Sequence, residues 1–81
     1  MMSFGEVLGA AAAALYGRHS AAADLGRDLD VAESTVRRWL AGTHQPQNPD
    51  GVLADLKLIV EDRLDELSAV LENISSIGGE P

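Results

Sequence analysis

The sequence predicts an all-α domain of about four helices, the last of them long. Apolar residues recur at three- and four-residue spacing along most of the chain, and no alternating run typical of a β-strand is present. The predicted helices are separated by glycines or short polar stretches, which are typical helix stops. With 81 residues and three aromatic side chains, the chain allows one small domain whose core comes mainly from Leu, Val, Ile and Ala.

Two helices are predicted in the N-terminal third. The first is expected over residues 3–16, because apolar side chains follow helical spacing there and Gly17 is a natural C-terminal stop. The second is expected over residues 21–29, with Ser20 as its N-cap. Gly26 lies in the middle of this second helix, where Gly costs about 1 kcal/mol relative to Ala. We therefore expect another helix to cross at Gly26.

Two further helices are predicted beyond the first pair. The third covers residues 32–41 and is closed by Gly42, which can adopt the left-handed conformation. The fourth begins with Asn48 as N-cap and Pro49 as first helical residue. It extends to about Ile74, a length of ~39 Å at 1.5 Å per residue.

Charge divides the chain into two regions. The formal net charge is −7, yet residues 1–47 carry four basic against five acidic side chains, whereas residues 48–81 carry two against eight. We expect residues 1–47, called the head below, to form the binding region of the domain, and residues 48–75 to form a long amphipathic dimerisation helix of the same domain. Residues 76–81 are expected to be a flexible tail.

The fourth helix carries an apolar stripe at coiled-coil spacing. Val60, Leu64, Leu67, Leu71 and Ile74 follow one another at steps of four and three residues. The first three helices offer too little surface to cover this stripe, and exposed apolar patches of that size are rare on monomers. The stripe therefore predicts a homodimer, while a contact of the helix with its own core remains the alternative.

Several classes of protein are disfavoured by composition. The chain has no cysteine, which excludes disulfides and thiolate metal sites and suits a reducing, cytoplasmic location. No run approaches the ~20 apolar residues of a membrane span. The alanine-rich run at residues 9–15 has Glu6 before it instead of basic residues, so we interpret it as a helix rather than a signal peptide.

No catalytic or cofactor pattern is evident in the sequence. His19 and His44 lack a second ligand at the spacing that zinc requires, and no nucleophile–base pair or phosphate-binding loop is visible. The acidic cluster of the fourth helix belongs to a single amphipathic helix, which supplies no pocket for a carboxylate pair. We expect no enzyme activity, no cofactor, no metal and no small-molecule ligand.

The segment of residues 31–42, VAESTVRRWLAG, places two arginines beside the single tryptophan. With Val36 at 0° and 100° per residue, three apolar side chains fall within about 60° of it: Ala32, Trp39 and Leu40. Arg38 and Ser34 point to the opposite side of the same helix. The third helix is therefore expected to bury Trp39 and to present arginines to solvent.

Residues 22–41 resemble the helix-turn-helix unit of phage repressor and Cro-type DNA-binding regulators. The match rests on apolar or small residues at the positions where that family needs them: Leu25, Gly26, Leu29, Val31, Val36 and Trp39. Two positions depart from the family pattern. Asp30 stands at the turn position usually held by Gly, and Ala32 stands at the cap position usually held by Ser.

The resemblance implies roles for individual residues. Base-reading positions of the family correspond to Glu33, Ser34, Arg37 and Arg38. An arginine there can donate two hydrogen bonds to guanine, and Glu33 can either accept from cytosine or pair with Arg37. Contacts to the DNA backbone are expected from a second set: Arg18, His19, Ser20, Arg27, Thr35, Thr43 and His44.

The resemblance implies a dimeric, sequence-specific transcription regulator that binds double-stranded DNA through helix 32–41 in the major groove. A small autorepressor of phage or mobile-element type, acting on a palindromic operator, fits this description. Two alternatives remain open. One is a ring-forming DNA-packaging subunit similar to small terminases, and the other is an adaptor whose helix-turn-helix binds a protein.

Overall fold

The computed structural model describes residues 2–78, and within this range it has four α-helices and no strand. The helices are α1 (Phe4–Tyr16), α2 (Ala21–Leu29), α3 (Glu33–Ala41) and α4 (Pro49–Ile77). The predicted all-α class with a long C-terminal helix is therefore confirmed. No helix in the described range is long and apolar enough to cross a membrane.

Helix α1 begins with a capping box. The Ser3 hydroxyl accepts from the Glu6 N–H at 3.2 Å, and the Glu6 carboxylate accepts from the Ser3 N–H at 2.9 Å. The hydrogen bond from the Ser3 backbone holds the pKa of Glu6 below its usual value. Two N–H groups that have no partner within the helix are thus satisfied, which fixes the start of α1.

A tight turn joins α2 to α3. Asp30 adopts the left-handed conformation with φ 61° and ψ 45°, and its N–H donates to the carbonyls of Arg27 and Gly26. The Val31 N–H also donates to the Gly26 carbonyl, at 2.8 Å. Asp tolerates this conformation better than most residues, so the turn forms without Gly at position 30.

Gly26 is required by this turn. A Cβ at position 26 would lie 2.7 Å from the Val31 carbonyl oxygen and 3.5 Å from a Val36 methyl group. We expected a crossing helix to need the space, and α3 does lie close through Val36. The nearest neighbour, however, is the backbone of the turn itself.

The core lies where α1, α2 and α3 meet. Leu8, Leu25 and Val36 are fully buried, one from each of these helices. Trp39 is 7% exposed and packs edge-to-face against Phe4, with ring centroids 6.0 Å apart. Helix α4 contributes its single buried residue, Leu56, to the same cluster.

Helix α4 begins at a cap and continues well beyond the core. The Asn48 side chain accepts from the Gly51 N–H at 3.1 Å, as its predicted N-cap role requires. The helix ends at Ile77, three residues past the predicted end, so positions 76 and 77 of the predicted tail are helical. The last three tail positions, 79–81, lie outside the described residues. Residues 64–78 are exposed throughout.

Candidate nucleic-acid interface

Helix α3 buries one face and exposes the other. Val36 is fully buried and Trp39 nearly so, whereas Ser34, Arg37 and Arg38 are exposed. The predicted orientation of Trp39 and Arg38 is therefore confirmed. Two neighbouring positions differ from the predicted pattern: Ala32, placed on the inner face, is exposed because it precedes the first turn, and Thr35 is half-buried.

Glu33 and Arg37 form an ion pair along α3. The Nε of Arg37 donates to the Glu33 carboxylate at 2.9 Å, and a second guanidinium nitrogen binds the same oxygen. The Arg37 side chain is still 69% exposed, so solvent screens this pair. Glu33 orients the guanidinium of Arg37, which must leave or share this partner in order to bind a base.

Arg38 differs from Arg37 in having no carboxylate partner within residues 2–78. Its backbone carbonyl closes the end of α3 by accepting from the Thr43 N–H at 3.2 Å and from the Thr43 hydroxyl at 3.3 Å. Because these bonds involve only the carbonyl, the Arg38 guanidinium remains available to an external acceptor.

The start of α2 lies beside the middle of α3. Arg18, His19 and Ser20 line a shallow depression of about 400 Å³ together with Glu33 and Arg37. The fold therefore brings together three of the predicted backbone-contacting residues and two of the predicted base-reading residues. A depression lined by two exposed arginines, Arg18 and Arg37, can accept a phosphate group.

Ser20 occupies the N-cap position of α2 but does not cap it. Its hydroxyl donates to the Asp24 carboxylate at 2.7 Å and makes no hydrogen bond to the helix backbone. The predicted capping role of Ser20 is thus wrong. Its backbone, with φ −123° and ψ 22°, lies outside the extended region that N-cap residues usually adopt. The first N–H groups of α2 consequently have no side-chain acceptor.

The other predicted backbone contacts lie apart from this depression. Arg27, in the last turn of α2, pairs with Asp24 at 3.2 Å and with Asp28 at 3.6 Å. His44 follows α3, with its Nδ1 at 3.3 Å from the Thr43 hydroxyl, and lines a second depression beside the start of α1. The charge of Arg27 is therefore offset locally, and His44 belongs to a different part of the surface.

Helix α4 keeps its acidic side chains away from α3. In the described range, α3 contacts α1 and α2 but not α4. The seven acidic residues of α4 that the structure describes thus do not cover the arginines of the candidate interface. This separation matters because carboxylates near the arginines would repel a phosphate backbone.

Two tertiary hydrogen bonds that position the elements were not predicted. The Tyr16 hydroxyl donates to the Asp28 carboxylate, which links α1 to α2. Burial is the larger cause that raises the pKa of Tyr16, and this hydrogen bond is the second. Arg63 donates to the Leu15 carbonyl at 2.8 Å, which joins α4 to the end of α1. The signal for Arg63 was its isolation as a basic residue among the acidic residues of α4.

The apolar stripe of α4 is exposed. Its five predicted members have 40–64% of their surface accessible: Val60, Leu64, Leu67, Leu71 and Ile74. Val70 and Ile77 also belong to the exposed apolar surface, at 51% and 87%, and were missed because the sequence reading followed only steps of three and four. The stripe is therefore wider than the heptad pattern indicated.

Comparisons with protein-family models, curated proteins and solved structures gave no match to this chain.

Proposed function

We propose that this chain is a sequence-specific DNA-binding regulator of transcription that acts as a homodimer, with α3 in the major groove. The observation that carries the proposal is the orientation of α3. Val36 and Trp39 fix one face in the core, and Ser34, Arg37 and Arg38 project from the other. A helix held in this way can reach base edges without disturbing the fold.

The two arginines have different proposed roles. Arg38 has no carboxylate partner in the described range. Two N–H groups of its guanidinium donate to one guanine base. Arg37 starts from its ion pair with Glu33, so it contacts a phosphate or a base at the edge of the site. Arg18 and the start of α2 meet the phosphate backbone beside it.

A dimer places two such heads on one duplex. Because a two-fold axis relates the two copies, the operator is palindromic. The centres of its two half-sites are 34–36 Å apart, so that both lie on one face of B-DNA. The exposed stripe of α4 supplies the contact between copies, and the acidic face of α4 stays away from DNA. Binding to its own promoter would make the protein a small autorepressor of phage or mobile-element type.

The test is binding selection from genomic fragments, followed by measurement of Arg38→Ala on the selected site at fixed salt. We expect this variant to lose about 1–3 kcal/mol of specific binding, roughly 5- to 150-fold in affinity. Lys57→Ala is the matched control, because it removes one exposed positive charge from α4. Equal losses in both variants would indicate a charge effect without base recognition.

Measurements on the purified protein and the genomic fragments also distinguish two other functions. A ring-forming DNA-packaging subunit would have a native mass of eight or more copies instead of two. A protein-binding adaptor would show no fragment bound better than random DNA. Either result would overturn the proposal of a dimeric regulator.

A further inference from the structure

We propose that two copies of this chain pair through antiparallel α4 helices, and that the end of each α4 lies in the groove between α1 and α4 of the other copy. This inference rests on the proposed function in one respect: it gives the geometry of the homodimer proposed there. It follows from the width of the exposed stripe, the shape of the groove and the positions of the charges.

The exposed stripe is three columns wide. A two-stranded coiled coil uses two columns of apolar residues. In α4 the third column has a spacing of seven residues and runs through Leu56, Arg63, Val70 and Ile77. Leu56 is buried in the head and Arg63 binds the Leu15 carbonyl, so this column faces the head in the first half of α4. Val70 and Ile77 continue it into solvent and need a third surface to cover them.

A groove beside α1 provides that surface. It has a volume of about 460 Å³ and lies between the outer side of α1 and the first part of the stripe. Its α1 wall is lined by three alanines and two larger side chains, and Val60, Arg63 and Leu64 lie on its α4 side. The α1 residues are Val7, Ala10, Ala11, Ala14 and Leu15. Because alanine side chains end at Cβ, another helix can approach this wall closely. The groove is thus suited to branched side chains such as Ile and Val.

In an antiparallel pair, one register places the apolar stripe of one α4 opposite the same stripe of the other α4. If Leu64 lies opposite the partner's Ile74, then Leu67 lies opposite the partner's Leu71 and the pair is centred at Ala69. Ile77 then falls level with position 61 of the partner, between the partner's Val60 and the partner's Arg63, at the mouth of the groove. In a parallel pair both heads lie at the same end, and Val70 and Ile77 would remain in solvent.

The charges of α4 permit this pairing. On a helical wheel Asp62, Asp65 and Glu72 lie opposite the stripe, so they face solvent in the dimer. Ser68 and Ser75 flank the stripe on the side away from the Arg63 column. The other two acidic residues in this part of α4 flank the stripe on opposite sides: Glu66 lies 3.8 Å from the Arg63 guanidinium, and Glu61 lies on the side of Ser68. The antiparallel register therefore places no carboxylate at the centre of the contact.

The same register sets the distance between the two heads. Leu56 anchors α4 in the head and is 13 residues from Ala69, which is about 20 Å along a helix. Two heads are then separated by about 39 Å along the paired helices, close to one turn of B-DNA at 34–36 Å. The two-fold axis is perpendicular to the helix pair, so both heads lie on one face of it.

Introduced cysteines test the direction of pairing, since the chain has none of its own. Copies of Ser68→Cys meet near the two-fold axis, whereas copies of Ser75→Cys are about 20 Å apart along the helices. With a short bismaleimide we expect Ser68→Cys to crosslink at least about tenfold faster than Ser75→Cys. A parallel pair makes the two sites equivalent, so equal rates would overturn the proposal. Absence of crosslinking at both sites would also overturn it.

A charged residue in the groove tests its occupation. Ala14→Glu places a carboxylate in the groove, and Ala13→Glu makes the same change at an exposed position of α1 outside it. We expect sedimentation to show the dimer dissociation constant raised about 100-fold or more by Ala14→Glu and little changed by Ala13→Glu. Equal dimerisation of both variants would contradict an occupied groove.

Measurement of DNA binding by the crosslinked Ser68→Cys dimer separates the two proposals. An antiparallel dimer that binds no DNA fragment better than random DNA would overturn the proposed function and leave this inference intact. A parallel dimer that binds a specific DNA fragment would overturn this inference and leave the proposed function intact.

Discussion

Replacement of Trp39 with Ala tests the orientation of α3 most directly. Trp39 is 7% exposed and contacts the Phe4 ring at 6.0 Å between centroids, so the variant loses both buried area and an aromatic pair. Removal of a buried Trp costs about 3–5 kcal/mol, which includes the cavity it leaves. Small domains have only about 5–15 kcal/mol of stability, so about a fifth of the total is lost at the least and all of it at the most.

The assay is urea unfolding followed by circular dichroism at several protein concentrations, because dissociation of the proposed dimer would also contribute to the transition. We expect the midpoint to fall sharply for Trp39→Ala and the slope to change little. Arg38→Ala is the control on the opposite face and should stay within about 0.5 kcal/mol of the parent. If Arg38→Ala unfolds the protein and Trp39→Ala does not, the assignment of the two faces is wrong.

Three further changes probe the turn, the α1–α2 link and the first cap. Gly26→Ala should destabilise by about 1–3 kcal/mol in urea unfolding, because its Cβ would lie 2.7 Å from a carbonyl oxygen; a gain of stability would contradict that contact. The single tyrosine, Tyr16, should ionise above its ordinary pKa of 10.0 in a tyrosinate absorbance titration, and Asp28→Asn should lower that pKa. Since the folded-state pKa is raised, this contribution to stability is complete below pH 10.0 and is lost as the pH rises through the folded value. For Glu6 the pKa is lowered, so its cap should weaken as the pH falls below about 4.5, and Glu6→Gln should reduce that acid sensitivity of unfolding.

The bounds of the helices could be predicted because their stop and start signals are local. The Ser3 and Asn48 caps act within three residues, and Gly42 adopts the left-handed conformation that its position after α3 indicated. The end of α4 was predicted too early because no strong stop precedes Gly78. Local signals also failed at Ser20, whose hydroxyl donates to the Asp24 carboxylate and accepts from no N–H group of α2.

The links between helices could not be predicted in the same way. The bond from Arg63 to the Leu15 carbonyl joins residues 48 positions apart, and no sequence pattern specifies a backbone acceptor. The link from Tyr16 to Asp28 spans 12 positions and depends on the angle at which α1 meets α2. The face of α3 was predictable because helical periodicity alone places Trp39 and Arg38 on different sides.

The distribution of charge is compatible with the proposed recognition of DNA by an acidic chain. Arg27 and Arg37 are paired with carboxylates of their own helices, whereas Arg18 and Arg38 have no such partner in the described range. Affinity that comes from phosphate neutralisation scales with the number of available cations, so two per head give weak attraction to random DNA. The acidic α4 weakens that attraction further. Under the proposed function, affinity would therefore depend on base contacts from α3 and on a second copy of the head, which favours discrimination between sites over general DNA binding.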